Sequence, residues 1–251
     1  MAVDSKAFAE GLIREAHAWA VEEIRQTGAP MRQPMSHKQL VRWLHSMMWR
    51  EYKMNDIVIK EMSRLPDESC DLKYLLAKQV LQEYRQAGVF ARRLHELGEV
   101  LSLTDYEPTA QEWMLYNESI KWDTPAELAA ANNCGIQVMS LTQLRFLLHP
   151  PSLEEPLTTL DPLENPVWDR ESHPMQSLLD EETARRIALE VLPYGRQQVR
   201  VGRLVIERYA TTAEIQRRCQ MAFAARLAPT RKRLPFRACS PTDRHPHSYP
   251  M

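Results

Sequence analysis

The sequence predicts an all-α fold, and three observations predict it. Glycine is scarce, with 7 in 251 residues where average usage would give roughly 17. Alanine, leucine, arginine, glutamate and glutamine, all strong helix formers, are abundant. Apolar residues recur at i, i+3 and i+4 over long stretches, each closed by proline or opened by a capping residue.

The first helix runs from Ser5 to about Gln26 and stops at Gly28-Ala29-Pro30. The second opens at Ser36, a good N-cap, and continues to Arg64 before Pro66. The third spans roughly Asp71 to Leu101. A fourth segment begins near Pro108 and is split at Asp123-Thr124-Pro125, where Thr124 caps a long helix ending at Leu148. From His149 to Pro174 six prolines read as a meandering loop. A fifth helix starts near Met175, meets a kink or break at Pro193, and ends near Tyr209. Thr211-Thr212-Ala213-Glu214 resembles a capping box for a last helix reaching Leu227. The division is therefore a helical domain over 1–228 and a basic, Pro-rich tail over 229–251.

Charge and motifs narrow the function classes. The net charge of −1 divides into +5 from Arg226 onward and −6 before it. A near-neutral balance argues against a nucleic-acid binder, and a short basic arm on an acidic body suits a partner subunit or the body itself. No G-x-G-x-x-G or G-x-x-x-x-G-K run occurs, so nucleotide loops of those types are excluded. No apolar run approaches the ~18 residues of a membrane span, and the charged N-terminal run does not read as a signal peptide. Cys70, Cys134, Cys219 and Cys239 have neither C-x-x-C nor zinc spacing, so free thiols in a cytoplasmic protein are expected.

The informative feature is what sits among the leucines. The second helix carries Leu40, Leu44, Met47, Glu51, Asn55, Val58 and Met62 on one stripe. The third carries Leu72, Leu76, Val80, Glu83, Ala87, Phe90, Leu94 and Leu97. The fifth carries Leu178, Glu182, Arg185, Leu189 and Leu192. An inward carboxylate must be paired, protonated or metal-bound. Bundles with di-iron or di-manganese sites point glutamates inward in this way, with Glu-x-x-His on two helices. Here the positions three residues on are Gln86 and Arg185, neither a histidine. Arg185 would put a cation where a metal would sit, so a Glu51/Glu83/Glu182–Arg185 salt-bridge network is expected in the metal's place. His45 and His95 lie too far along their helices to substitute.

These segments carry a family resemblance. Lys38-Gln39-Leu40-Val41-Arg42 with Glu51 downstream, Leu75-Leu76-Ala77-Lys78 followed by Glu83 and then Leu97-Gly98, and Asp180-Glu181-Glu182 resemble the ligand helices of ferritin-like monooxygenase subunits of phenylacetyl-CoA epoxidase, the phenylacetic acid catabolic proteins. The match covers roughly residues 36 to 210. It implies a ferritin-like four-helix bundle with extra N- and C-terminal helices. Three ligand glutamates match (Glu51, Glu83, Glu182), both histidines are replaced (Gln86, Arg185), and one carboxylate becomes Asn133 or Gln137.

The resemblance implies a metal-deficient relative with no cofactor, acting as a structural subunit or as a specialised enzyme that uses Glu51, Glu83, Gln86, Glu182 and Arg185. The alternative is a metal-dependent oxygenase or oxidase holding iron through Glu51, Glu83 and Glu182. Trp49, Tyr52 and Tyr84 flank the glutamates and, with Asn133 and Gln137, are candidate walls of a substrate pocket. Acid–base catalysis on a small acyl or biosynthetic substrate expects that pocket beside Gln86 and Arg185. Expected partners are a second copy or a homologous subunit and a small-molecule or acyl-CoA substrate, with neither nucleic acid nor membrane.

Overall fold

A computed structural model describes residues 2–27, 33–99, 106–149 and 177–231. The expected loop after His149 and the tail beyond residue 231 lie outside the described residues. Among those described the chain is all-α, with seven helices and no strand. No described helix is long and apolar enough to cross a membrane, and the three described cysteines are free thiols.

The helices begin where local chemistry satisfies their first N–H groups. α1 (Ser5–Thr27) is followed by α2 (His37–Arg64), which opens with a reciprocal Ser36–Gln39 capping box. α3 (Cys70–Glu96) ends before the expected Leu101, because Gly98 turns into the left-handed region at φ +85°. α4 (Ala110–Ile120) and α5 each open with a Thr–Glu capping box, Thr109–Glu112 and Thr124–Glu127. α5 runs continuously through Pro125–Ala131, a π-helical turn Asn132–Ile136, and Gln137–Leu148.

α6 starts later than the expected Met175. It comprises Glu181–Arg186, a π-helical turn Ile187–Val191, and Leu192–Tyr209. Asp180 is its N-cap, accepting a hydrogen bond from the Thr183 N–H at 3.0 Å. Pro193 does not break it, because it follows directly on the widened turn, where helical hydrogen bonds are already re-registered. α7 (Ala213–Arg231) opens with Thr212 accepting from the Ile215 N–H, and outlasts the expected Leu227.

α2 and α3 form a hairpin that packs along its length, and α3, α6, α5 and α2 each touch the next in a ring. α1 lies against α5 and α6, and α7 against the first half of α5. Two close approaches set the α5–α6 crossing. A Cβ on Gly202 would sit 2.2 Å from the Cβ of Asn133, and one on Gly195 would sit 2.6 Å from Leu141. Only glycine permits that spacing. Apolar side chains fill the interior at both ends of the ring, Leu44, Phe90, Leu94 and Phe146 at one and Leu65, Leu72 and Leu76 at the other. Its middle is polar.

Candidate functional site

The polar middle is built from one face of α3. Gln79, Gln82, Glu83 and Gln86 follow i, i+3, i+4, i+7 spacing and are all buried. Glu83 is fully buried and shares a hydrogen bond with Glu51 of α2. Gln79 Nε2 donates to Glu83 Oε1 at 3.2 Å. From the π-helical turn of α5, Asn133 Nδ2 donates to Gln79 Oε1 at 3.0 Å and to the Gln198 carbonyl of α6 at 2.9 Å. Gln82 Nε2 donates to Gln197 Oε1 at 2.7 Å. The Gln198 side chain lies beside Glu83 without a well-aligned hydrogen bond, and Gln86 is buried with neither amide atom partnered.

Electrostatics assign a proton to this centre. Burial pushes the Glu83 carboxyl well above the ordinary glutamate range, and the neighbouring Glu51 charge pushes it further. Glu51 is also raised by burial, against a hydrogen bond from Glu83 and the Arg50 charge, which lower it. Both carboxyls are thus pushed up, Glu83 the further, and the pair holds a proton and titrates as a unit. Oε2 of each carboxylate is buried with no hydrogen-bond partner.

Glu51 faces a second feature. A cavity of about 410 Å³ lies between α1, α2, α4, α5 and the end of α7. Glu51 and Gln137 stand in its wall with Trp43, Trp49, Met54 and Tyr116. Trp49 is buried and packs edge-on against Trp113 at 5.3 Å between centroids. Burial alone would raise Glu112 on the α4 side. Hydrogen bonds from Ser46, Thr109 and Tyr106 outweigh that and hold it below the usual carboxylate range.

Several expected site residues lie elsewhere. Glu182 and Arg185 are on the surface, in the first turn of α6. Glu182 accepts from Arg185 at 2.8 and 2.9 Å and from Arg186 at 2.6 Å. Those arginines hold its carboxyl down at about 2. Arg186 also reaches Glu96 at the end of α3. Glu96 is 13 residues beyond Glu83, roughly 20 Å along a helix, so this network belongs to the end of the bundle. The Glu51/Glu83/Glu182–Arg185 network does not form. Tyr52 and Tyr84 lie on the outer face, 37% and 49% exposed and packed edge-on against each other at 6.0 Å. Neither lines the cavity. Nor does the cavity open beside Gln86 and Arg185; it opens beside Glu51 and Gln137.

The donor set decides how a metal would fare. Two carboxylates converge with a proton between them, the side chains in the hydrogen-bond network around Glu83 are amides, and the Arg50 charge lies beside Glu51. Among the described residues no group of three His, Cys, Asp or Glu side chains gathers. His45, six residues before Glu51 on α2, stacks on Tyr106 at 5.9 Å. A di-iron centre does not fit these donors.

Three contributors were missed in the sequence. Gln79 and Gln82 had a signal, since they continue the buried stripe of Leu72 and Leu76 at helical spacing. Gln198 had none. No protein-family model, curated protein or solved structure matches the chain.

Proposed function

We propose that this chain is a ferritin-like bundle, related in plan to the phenylacetyl-CoA monooxygenase subunits, whose centre works without a di-iron site and serves acid–base chemistry on a small molecule. One observation carries the reading: Glu51 belongs both to the proton-holding pair with Glu83 and to the wall of the 410 Å³ cavity. Cavities of this size, mostly apolar with a few polar groups converging, are the usual form of small-molecule sites. A carboxylate raised by burial is a suitable proton donor or acceptor near neutral pH. Glu51 exchanges the proton with the ligand, and Glu83 behind it is the reservoir. Asn133 and Gln79 are positioning residues that fix the Glu83 oxygen.

Infrared difference spectroscopy tests this at neutral pH. Wild type minus Glu83→Gln contains a protonated-carboxyl carbonyl band, and saturation with 2-naphthamide, a probe of the cavity's size, shifts it. Absence of the band leaves no proton for Glu51 to transfer and overturns the reading. A band untouched by bound probe separates the pair from the cavity and overturns it too.

A further inference from the structure

Resting on that reading of the cavity, we infer that its ligand is a flat, mostly apolar carboxylate whose anionic group pairs with Arg50. The cavity's own acids are already satisfied. Glu112 accepts from Tyr106 at 2.8 Å and from the Thr109 N–H at 2.7 Å. Glu23 accepts from Gln143 at 2.8 Å, and Glu51 shares a proton with Glu83. Among its cations, Lys53 is paired with Asp56 at 3.3 Å and lies over the rings of Trp113 and Tyr116, and Arg226, buried at the α7 end, already has a partner.

Arg50 is different. It is half-buried in the wall, its Nη2 donating to the Ser140 hydroxyl at 2.8 Å and its Nη1 to the Met47 sulfur at 3.6 Å. Among the described residues no carboxylate lies within 4.0 Å of it. A guanidinium carries five donors in a planar fork that matches a carboxylate, and only two are used, one of them on a weak sulfur acceptor. Ser140 holds the fork in place from α5. Arg42, also in the cavity lining and exposed, adds a second positive charge on the approach.

The remainder of the lining fixes the rest of the ligand. Trp43, Trp49, Met54, Ile57, Leu115 and Leu144 present apolar surface, four of them from α2. About 410 Å³ holds roughly a dozen non-hydrogen atoms at the ~30 Å³ a water-sized group takes in a liquid. A two-ring aromatic carboxylate fills that space. With its carboxylate on Arg50, it lies within reach of the cavity wall that contains Glu51, the next residue of the same helix.

Isothermal titration of the full chain with 2-naphthoate and with its neutral isostere 2-naphthamide tests the inference. Wild type binds the carboxylate about tenfold or more tighter than the amide, as a charge-assisted pair requires. Arg50→Gln loses that preference while amide affinity stays within about twofold, and Arg50→Lys, which keeps the charge but not the fork, retains part of it. Equal wild-type affinity for the two probes overturns the carboxylate inference and leaves the small-molecule cavity standing. Preference that persists in folded Arg50→Gln overturns the role of Arg50. Binding of neither probe removes the cavity reading as well. The wild-type comparison alone decides the ligand class if Arg50→Gln does not fold.

Discussion

At Glu61 of α2 both carboxylate oxygens are fully buried without a hydrogen-bond partner, and burial lifts the group to about 8 from an ordinary 4.5. The unfolded chain releases this proton from about pH 4.5 upward, whereas the folded chain keeps it until about pH 8. Stability from this group is therefore complete below pH 4.5 and is lost as pH rises toward 8, by about 3–5 kcal/mol in all. The Cys134 thiol lies within reach of its charge, and Arg203 and Glu207, which also act on Cys134, pair with each other at 3.2 Å. Glu61→Gln removes the slope, and Glu61→Met also removes the unpartnered polar atoms, so both gain most over wild type at pH 8. Urea midpoints at pH 5 and pH 8 measure it. The slope left in Glu61→Gln has the same sign and belongs to Glu51 and Glu83. The surface cluster acts oppositely: Glu182, held at about 2, adds stability above pH 4.5 that is lost as pH falls toward 2, worth under about 1 kcal/mol at its exposure.

Helix identity follows from local chemistry, and helix register follows from packing. Ser36 and Thr124 mark the starts of α2 and α5 because a side-chain oxygen meeting an N–H three residues on is a sequence-local event. The π-helical turns at Asn132–Ile136 and Ile187–Val191 have no such mark. The first arises where α5 and α6 press together, with Gly202 admitting Asn133, and the second lies against α3; a local pattern carries no record of either distant contact. The start of α6 was misplaced for a related reason. Its N-cap Asp180 is also held by Arg93 of α3 at 2.8 Å, and Arg93 bonds Thr183 at 3.0 Å, so the element begins where a neighbouring helix anchors it. Substitutions at two glycines separate these influences. Gly202→Ala forces a Cβ to 2.2 Å from Asn133 and costs at least about 2 kcal/mol of overpacking. It also withdraws Asn133 from Gln79. Gly11→Ala in α1 meets nothing within 4 Å and gains about 0.5–1 kcal/mol of helix propensity. Denaturant unfolding of the two variants reads opposite signs, and a Gly202→Ala protein as stable as wild type would show that the crossing relaxes.

For the whole molecule, the question is how far along the bundle axis each inward residue lies. Glu51 and Glu83 were legible because they interrupt leucine stripes on adjacent helices of one hairpin, where a short turn fixes the register. Glu182 shares that pattern but belongs to a helix reached through a long connection, so spacing alone could not set its height. It precedes Gln198, the residue beside Glu83, by 16 positions, roughly 24 Å of helix. The cavity was illegible for a similar reason: one face of α2 meets residues from four other helices there, of which α7 adds Arg226 alone. This geometry bears on metal loading. To hold a divalent cation, Glu51 and Glu83 would first release the proton between them, and α5 and α6 would then offer the amides Asn133 and Gln198 where a carboxylate and a histidine are wanted. Protein expressed in iron- and manganese-supplemented medium should therefore carry well under one metal per chain, with a melting temperature unchanged by chelator. Glu83→Ala separates the alternatives. If the centre holds a proton, the variant loses the carboxyl band and metal content does not change. If the wild type carries stoichiometric metal that Glu83→Ala sheds, Glu51 and Glu83 are ligands, and the proton-holding pair is not the resting state of the protein.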